Sequence, residues 1–379
     1  MKPEKVYACY SKDKDVRLSS SSGAVFSSLA EYVLNKNGII YGVAMSEDCY
    51  SAEFIAVTDR SELIKLRGSK YLQAKVGDTF KKVKVELQAG KLVLFTGTGC
   101  QVNGLKKFLG KDYENLICMD VICHGAPSPA LWREYAQYQE KKSGGKLKGI
   151  NFRCKDESWT DFGMKEVLEN IPEDSVKKFY ISKDKDSYMQ MFLRDYCLRP
   201  SCYECVAKKE KMSDLTVADF WGIKEAAPEM NDGLGTSLVL IRTQKGKEIF
   251  NYISCKMKLK EVTYEAGVKG NPAEYKSCAR PSQRDTFFDD MHTMSFEELE
   301  GKYAAPIKYS LKTRAKRKVK KIIKNMLQVI GGGGREKYRI WITLCTSCLI
   351  VRRIKNVKIL WNRRLPWRSR NYINSGSRL

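Results

Sequence analysis

Residues 91–109, KLVLFTGTGCQVNGLKKFL, place a short apolar run, a glycine-containing loop and an amphipathic segment in direct succession. The run KLVLF is typical of a buried strand, and QVNGLKKFL has the spacing of a helix. The same alternation appears before this stretch, in SSSSGAVFSSLAEYVL (19–34), and after it, in NLICMDVIC (115–123) and PALWREYAQYQEKK (129–142). Short strands that alternate with helices predict an α/β fold with a mainly parallel sheet.

Composition divides the chain into three regions. Residues 1–145 carry the alternating pattern, and the serines before Val25 predict a Ser N-cap for its first helix. Residues 146–300 are irregular and Cys-rich, which indicates a second, α+β region. Residues 301–379 form a basic tail, and within it residues 310–330 place apolar side chains on one side and Lys or Arg on the other. This pattern predicts a basic amphipathic helix.

The positive charge of the chain is concentrated in this tail. The 379 residues have a net charge of +24, and residues 301–379 hold 22 of the 68 Lys and Arg but one of the 44 Asp and Glu. The body is nearly neutral, so we expect no nucleic-acid partner. The basic helix predicts peripheral contact with the inner face of a membrane, with a solvated helix as the alternative. Four glycines at 331–334 and the loss of any period after them predict that residues 335–379 are read from a shifted frame.

The cysteines indicate metal chemistry rather than disulfides. The chain has 13 Cys, 2 His and no visible secretory segment, which predicts a reducing, cytoplasmic location. Cys197, Cys202 and Cys205 have a C-x4-C-x2-C spacing that suits one side of an iron–sulfur cluster, with zinc or unliganded thiols as alternatives. More distant candidates for a further ligand are Cys100, Cys118, Cys123 and Cys154, of which Cys118 is expected to face the core.

Three loops carry polar groups next to the predicted strands, where α/β proteins bind ligands. GTGCQ (97–101) begins a helix whose N–H groups suit a phosphate, and CHGAPSP (123–129) contains His124 and Gly125. RGSKYLQ (67–73) combines a cation, a hydroxyl, a phenol and an amide, which suits a nucleotide diphosphate and an aromatic ring. A tight turn without a ligand is the alternative for each loop.

The chain resembles the coenzyme F420 hydrogenase/dehydrogenase beta subunit family from about residue 6 to about residue 290. The segments that carry the resemblance occur in one order along the chain: SSSSGAVFSSLAEYVL, RGSKYLQ, GTGCQVNGLKKFL, DVICHGAPSP, INFRCK, CLRPSCYECVAKKEKMSDLTVADFWGI and TSLVLIRT. The resemblance implies a flavin-binding domain over residues 1–145 and an iron–sulfur-binding region over residues 146–300. It also implies a noncovalent FAD, a [4Fe-4S] cluster, and two-electron exchange with coenzyme F420 or another deazaflavin or flavin-type acceptor.

The resemblance also implies the site residues. Those expected to line the flavin site are Ser22, Gly23, Ser69, Lys70, Tyr71, Gln73, Thr98, Gln101 and Gly125. Those expected to hold the cluster are Cys197, Cys202 and Cys205, with Cys123, or less favourably Cys100, as the fourth ligand. In this scheme Lys70 stabilises the reduced flavin anion and His124 donates a proton.

Three departures from the family pattern affect these expectations. Ala24 follows Gly23 where the pattern has a second glycine, and Gly99 occupies a position that the pattern gives to proline. Many bacterial relatives also begin with a ferredoxin-like stretch of closely spaced cysteines, of which this chain has only Cys9. We therefore expect a separate electron donor such as a ferredoxin, together with a small-molecule substrate.

Many bacterial members that are similar to this chain are encoded with polysaccharide-synthesis enzymes. This context implies an oxidoreductase of polysaccharide biosynthesis. The alternative is a non-enzymatic or degenerate accessory protein of envelope polysaccharide assembly that its basic tail docks to the membrane.

Overall fold

The computed structural model describes residues 2–170 and 175–304. The strands are β1 (Lys5–Ser11), β2 (Ile39–Met45), β3 (Ala52–Val57), β4 (Val93–Thr98), β5 (Leu116–Val121), β6 (Lys146–Cys154), β7 (Gly163–Asn170), β8 (Ser175–Ser182), β9 (Leu215–Asp219), β10 (Ser237–Ile241) and β11 (Met257–Glu261). The helices are α1 (Lys14–Leu18), α2 (Val25–Leu34), α3 (Leu63–Leu66), α4 (Thr79–Gln88), α5 (Gly99–Leu109), α6 (Pro129–Ser143), α7 (Ser187–Leu193), α8 (Ile223–Ala226), α9 (Gln244–Ser254), α10 (Tyr264–Val268), α11 (Arg284–Thr293) and α12 (Phe296–Tyr303).

A large mixed sheet forms the centre of the fold. In the described part of the chain it has eight strands in the order β11-β1-β10-β9-β5-β4-β2-β3. The adjacent strands β2, β4, β5 and β9 are parallel, whereas β3 on one side and β10, β1 and β11 on the other join by antiparallel pairing. The predicted α/β fold with a parallel sheet is thus confirmed for the four central strands, and the antiparallel flanks add to it.

Helices cover both faces of this sheet. On β4, Val93 and Phe95 pack against α4 and α5, while Leu94 between them packs toward α2. On β5, Cys118 faces the α4 and α5 side in the core, as the sequence predicted. Both faces of these strands are buried, so their sequences are continuous apolar runs rather than alternating ones. Complete burial of a side chain such as Phe95 stabilises the fold by about 1.5–3 kcal/mol.

A second, antiparallel sheet of order β6-β7-β8 packs with α6, α7, α11 and α12 around Trp132 and Tyr135. The sequence boundary near residue 145 does not separate two sheets, because β9, β10 and β11 return to the large sheet beside β5 and β1. Pairing between strands that are distant in the sequence leaves no pattern in the local sequence. The predicted boundary near residue 145 therefore rests on composition alone.

Some local predictions need correction. The N-cap of α2 is Ala24 in the left-handed conformation (φ 67°), and no side chain caps this helix, so the predicted Ser N-cap is wrong. The outer strands β8 and β11 carry runs of exposed residues and for that reason lack the apolar pattern of a strand. The predicted helix at 310–330 and the segment 335–379 lie outside the described residues.

A buried phenol joins two carboxyl groups where the smaller sheet meets α6 and α7. Tyr135 Oη lies 2.5 Å from Glu166 Oε1 and 2.6 Å from Asp186 Oδ2, and Gln139 Nε2 donates to it at 2.8 Å. The phenol has one hydrogen to donate, so one carboxyl must supply the hydrogen of the other bond. Burial raises the pKa of Glu166 to about 7 and that of Asp186 to about 6. The folded protein therefore retains a proton that the unfolded chain releases at lower pH.

This proton makes stability depend on pH in a defined direction. The pKa of Glu166 is higher in the folded than in the unfolded state. Its protonated side chain therefore contributes fully to the free energy of unfolding below about pH 4, and this contribution is lost as the pH rises through about 7. Glutamine cannot lose a proton, so Glu166→Gln should lack this loss of stability. We expect the free energy of unfolding of the variant, relative to that of wild type, to be about 1–3 kcal/mol more favourable at pH 8 than at pH 5. Lys142 and Glu300, the other charged groups that act on the pair, are unchanged in the variant.

Urea unfolding at the two pH values measures this difference. Glu169→Gln, which changes a more exposed glutamate on the same strand, is the matched control and should show no such gain. A difference between Glu166→Gln and wild type that is the same at both pH values would contradict the shared proton.

Candidate functional site

A cavity of about 1040 Å³ opens at the carboxyl ends of β4, β5 and β9. Thr98, Val121 and Asp219 line it from these three strands, and the loops after β4 and β5 continue the wall. Parallel strands place their carboxyl ends at one edge of a sheet, which is where α/β proteins bind ligands. The volume lies just above the range of about 300–1,000 Å³ that is typical of small-molecule and cofactor sites.

The loop after β4 is shaped by a capping box at the start of α5. The Thr98 N–H donates to Gln101 Oε1 at 2.9 Å, and Thr98 Oγ1 donates to the same oxygen at 3.1 Å. The Gln101 side chain therefore accepts the hydrogen bonds of Thr98 at the N-terminal end of α5, and it also lines the cavity. Gly97 leaves little room for a side chain, since a Cβ there would lie 2.9 Å from Gln101 Oε1.

Two polar loops, residues 19–24 and 67–73, form the opposite wall. The Ser69 N–H donates to Ser21 Oγ at 3.0 Å, and the two hydroxyls lie 3.1 Å apart. Ser22 Oγ is buried at the cavity and has no hydrogen-bond partner among the described residues. Such an orphaned hydroxyl costs about 1–3 kcal/mol unless a ligand or water satisfies it.

Lys70 lies in the second of these loops. Its Nζ donates to the carbonyl oxygens of Lys65 at 2.8 Å and Arg67 at 2.9 Å, so in this structure it ties the loop to the end of α3. Burial of the ammonium group lowers its pKa to about 7. The side chain therefore changes charge close to neutral pH.

Tyr71 and Gln73 connect this loop to the rest of the cavity. The Gln73 N–H donates to the Pro127 carbonyl at 3.1 Å, and Tyr188 Oη donates to the Tyr71 carbonyl at 2.5 Å. Burial raises the pKa of the Tyr71 phenol, and its ring contacts Phe192 at 5.3 Å between centroids. Both Tyr71 and Gln73 line the cavity.

Gly23 does not line the cavity, unlike the other predicted flavin residues. A Cβ at Gly23 would lie 2.3 Å from the Cys9 carbonyl oxygen and 2.9 Å from the Ser237 nitrogen. Its N–H donates to Ser237 Oγ at 2.9 Å. Gly23 thus holds residues 19–24 against β1 and β10, and its role in this structure is packing.

His124 and Gly125 follow β5 and line the cavity. His124 Nε2 lies 2.6 Å from Asp195 Oδ1, and the imidazole meets Phe192 edge to face with centroids 5.3 Å apart. An ionised carboxylate only accepts, so Nε2–H is the donor and the carboxylate fixes the ring's tautomer and orientation. Tyr203 Oη donates to the Asp195 carbonyl at 2.5 Å and holds the acid in place.

Backbone pairing holds the Cys-rich segment against the loop after β5. The Ser128 N–H donates to the Cys197 carbonyl and the Arg199 N–H to the Ala126 carbonyl, both at 2.9 Å. The Ala126 N–H also points at Cys202 Sγ, at 3.3 Å. These contacts place the cysteines of residues 197–205 beside those of the two strand-end loops.

Four cysteines line the cavity at this end: Cys100, Cys123, Cys202 and Cys205. The pKa of the Cys123 thiol is raised to about 12, chiefly by burial; Lys208 opposes this rise, and the three other thiols contribute to it. Cys197, by contrast, is fully buried in the core of the smaller sheet and is absent from the cavity wall. Cys154, the last residue of β6, is also buried. Within the described residues, no three His, Cys, Asp or Glu side chains stand in an arrangement that would itself hold a metal ion.

The cavity also contains charged and aromatic residues that sequence reasoning did not assign to the site. Arg153 pairs with Asp219 at 2.8 Å, and Trp221 and Phe162 lie beside the guanidinium. The segments INFRCK and ADFWGI carry part of the resemblance in the sequence, but only the fold shows that they meet. No helix in residues 2–170 or 175–304 is both long enough and apolar enough to cross a bilayer.

Comparison with known proteins relates the chain to one family, "Coenzyme F420 hydrogenase/dehydrogenase, beta subunit". Residues 6–81 match the model of the N-terminal part of this family, and residues 90–266 match the model of its C-terminal part. The two matches together cover more than half of the chain.

Two relatives illustrate the similarity. A coenzyme F420-dependent sulfite reductase of Methanocaldococcus jannaschii is 25% identical over 261 residues, which are 67% of this chain and 38% of that protein. The chain thus spans well under half the length of this relative. A chain in a structure of the F420-reducing [NiFe] hydrogenase complex from Methanosarcina barkeri is 15% identical, with a TM-score of 0.48 over 77% of this chain and 94% of that chain.

The packing of Gly23 and the backbone of Ala24 predict opposite effects of two neighbouring substitutions. We expect Gly23→Ala to lower the free energy of unfolding by about 1–3 kcal/mol, because its Cβ would overlap the backbone of Cys9. Ala24→Gly, which relieves a left-handed conformation, should leave stability unchanged or raise it by up to about 1 kcal/mol. Chemical unfolding of both variants measures the pair, and equal effects would contradict this account of the loop.

Proposed function

The chain belongs to the coenzyme F420 hydrogenase/dehydrogenase beta subunit family, and from this we propose that it is an oxidoreductase that uses FAD and a [4Fe-4S] cluster. The observation that carries the proposal is that four thiols and all but one of the predicted flavin residues line a single cavity of about 1040 Å³. The flavin would exchange two electrons with a small molecule, and the cluster would pass single electrons to or from the flavin.

The residues present fit a dinucleotide such as FAD. Val25 in the first turn of α2 and Cys100 in the first turn of α5 lie at the cavity, and the partial positive charge of a helix N-terminus favours a phosphate group. Ser22 Oγ, which lacks a partner among the described residues, is available to such a group. The apolar and aromatic part of the wall, with Phe26 and Tyr71, suits a flavin ring.

The cysteines fit an iron–sulfur cluster, with one change to the predicted ligand set. We propose that Cys100, Cys123, Cys202 and Cys205 are the ligands, because all four line the cavity and the other three act electrostatically on the Cys123 thiol. Cys197 packs instead in the core of the smaller sheet, where it is fully buried and absent from the cavity wall. Thiolates must lose their protons to bind iron, so Lys208, which lowers the pKa of Cys123, would assist binding at that ligand.

His124 and Lys70 have complementary roles in this proposal. His124 lines the cavity and its Nε2–H is held by Asp195, so the ring in its doubly protonated form would give the Nδ1 proton to the substrate. Lys70 has a pKa near 7, so its ammonium form would balance negative charge that develops on a reduced flavin at neutral pH. The expectation of a separate electron donor, such as a ferredoxin, and of a role in polysaccharide biosynthesis is part of the same proposal.

Iron content separates the two ligand sets. In protein purified anaerobically with iron and sulfide, we expect Cys100→Ser and Cys202→Ser to lose most of the iron, because each removes a thiolate ligand. Cys197→Ala should keep the iron content of wild type. Iron, sulfide and FAD per chain are measured together, and thermal unfolding shows that each variant is folded. Loss of iron in Cys197→Ala with retention in Cys100→Ser would restore the ligand set predicted from the sequence.

A second prediction concerns His124. We expect His124→Ala to reduce the turnover number by about 100-fold or more, the usual contribution of a positioned proton donor, with FAD and iron unchanged. The assay is reduction of coenzyme F420 by the chemically reduced protein. Asp195→Asn, which keeps the imidazole but alters its orientation, should have a smaller effect. Turnover equal to wild type in His124→Ala would remove the residue from the mechanism.

A further inference from the structure

Helices α4 and α5 carry an excess of positive charge that the redox proposal does not use. Residues 79–111, which contain both helices, hold seven Lys, no Arg and a single acid, Glu86. Residues 1–300 as a whole hold 46 Lys and Arg and 43 Asp and Glu. One short stretch therefore carries a charge of +6 in a body whose net charge is +3.

The fold places the two helices side by side on one face of the large sheet. Val83 and Leu87 from α4 and Val102 and Leu105 from α5 pack in the same core. Each helix returns the chain to the start of one of two parallel strands, β4 and β5, so both helices end at the amino edge of the sheet. The sides of the helices that point away from this core form a single exposed surface.

Two apolar side chains stand exposed on this surface. Val85 is 63% exposed and Phe108 is 44% exposed. The Phe108 ring lies 5.9 Å from that of Phe80 across the two helices, and Lys84 Nζ lies 5.9 Å from the centre of the Phe108 ring. Cationic and apolar groups from both helices are thus neighbours. We call the surface formed by Lys84, Val85, Lys91, Phe108 and Lys111 the α4–α5 face.

Most lysines of residues 79–111 have no acidic partner. The other three pair with exposed carboxylates, as Lys106 does with Asp112 at 2.9 Å, and such exposed pairs are weak. Four of the seven form no ion pair within the described residues: Lys82, Lys84, Lys91 and Lys111. Their charge remains available to attract an anionic partner.

Charge and composition narrow the identity of this partner. The tail at residues 301–379 has the same sign as the α4–α5 face, and a second copy of the chain would oppose two like-charged faces, so neither suits it. Residues 79–111 contain no Arg, the residue preferred for recognition of nucleic-acid phosphates. The exposed Val85 and Phe108 gain nothing from a phosphate backbone. A bilayer with anionic lipids offers both a negative surface and an apolar layer beneath it.

We propose that the α4–α5 face docks the protein on a membrane that contains anionic phospholipid. Val85 and Phe108 enter the boundary between headgroups and acyl chains, and Lys84, Lys91 and Lys111 contact the headgroup phosphates. One weak signal gives only marginal membrane binding, so the face acts together with the basic helix that the sequence predicts at 310–330. This inference does not depend on the proposed redox function.

Lysine acetylation of the full chain, followed by mass spectrometry, tests the position of the contact. Vesicles of phosphatidylcholine with phosphatidylglycerol should slow the acetylation of Lys84, Lys91 and Lys111 by at least about 5-fold, and vesicles of phosphatidylcholine alone should not. Lys224 and Lys269, which are exposed elsewhere on the body, are the internal controls and should react at unchanged rates. Protection confined to lysines of the tail would overturn the proposal.

Variants of the full chain separate the apolar contribution from the charge. We expect Val85→Ser to weaken binding to the anionic vesicles about 3- to 10-fold, because it removes exposed apolar surface and leaves the core intact. Lys84→Gln combined with Lys111→Gln should weaken it about 10-fold. The matched controls are Val176→Ser, which changes another exposed valine, and Lys224→Gln combined with Lys269→Gln, which removes the same charge. Both should bind as wild type does.

Each remaining outcome counts against the docking face. Equal losses in the two lysine pairs would show that only total charge matters. Full affinity in Val85→Ser, together with equal protection of the same lysines by duplex DNA, would assign the face to polyanions in general. Unchanged affinity in every variant would leave the tail as the sole membrane contact. Thermal unfolding of each variant shows that it is folded.

Discussion

The candidate site depends on the packing of residues 205–210 along α5. β9 runs parallel to β5 and enters the sheet from its amino side, so the chain before β9 must travel back along the sheet from the carboxyl edge. It does so against α5: Ala207 lies beside Gly99 at the first turn, and Glu210 meets Asn103 and Lys107 toward the last. This path is what leaves Cys202 and Cys205 at the same edge of the sheet as the loops after β4 and β5.

Gly99 and a buried polar network support this path. A Cβ at Gly99 would lie 3.1 Å from that of Ala207 and 3.0 Å from Asp120 Oδ2, so a larger residue would separate the segment from the helix. Asp120 belongs to a buried polar network. Thr216 Oγ1 donates to Asp120, and Arg242 Nε lies 2.6 Å from the same hydroxyl. Arg242 Nη2 in turn pairs with Glu274 at 2.6 Å. Burial of these charges is costly unless every partner is present, so the network fixes one arrangement of β5, β9 and β10 beneath the cysteines.

Much of the amino-terminal half of the fold could be predicted from the sequence. Buried parallel strands such as β4 read as apolar runs, and α5 and α6 lie where the helical spacing places them. The edge strands β8 and β11 were missed because exposed residues give them no apolar period. The position of Gly23 could not be inferred either, since its neighbours Cys9 and Ser237 are remote in sequence and it serves packing rather than the cavity wall.

The same limit applies to the cysteines. The C-x4-C-x2-C spacing suggested that Cys197 acts with Cys202 and Cys205, but spacing does not show that Cys197 lies in the core while the turn after Pro200 directs the other two to the cavity. Arg153 and Trp221 belong to segments far apart in the chain, and only the assembled sheets bring them together.

The central claim, that one chain holds both a flavin and an iron–sulfur cluster, is tested most directly by anaerobic reductive titration. A flavin takes two electrons and a [4Fe-4S] cluster one, so the account predicts about three electron equivalents per chain, with separate spectral changes for the two groups. Protein that carries its full complement of FAD yet takes up only two equivalents, or that takes up none after expression with iron and sulfide, would contradict it.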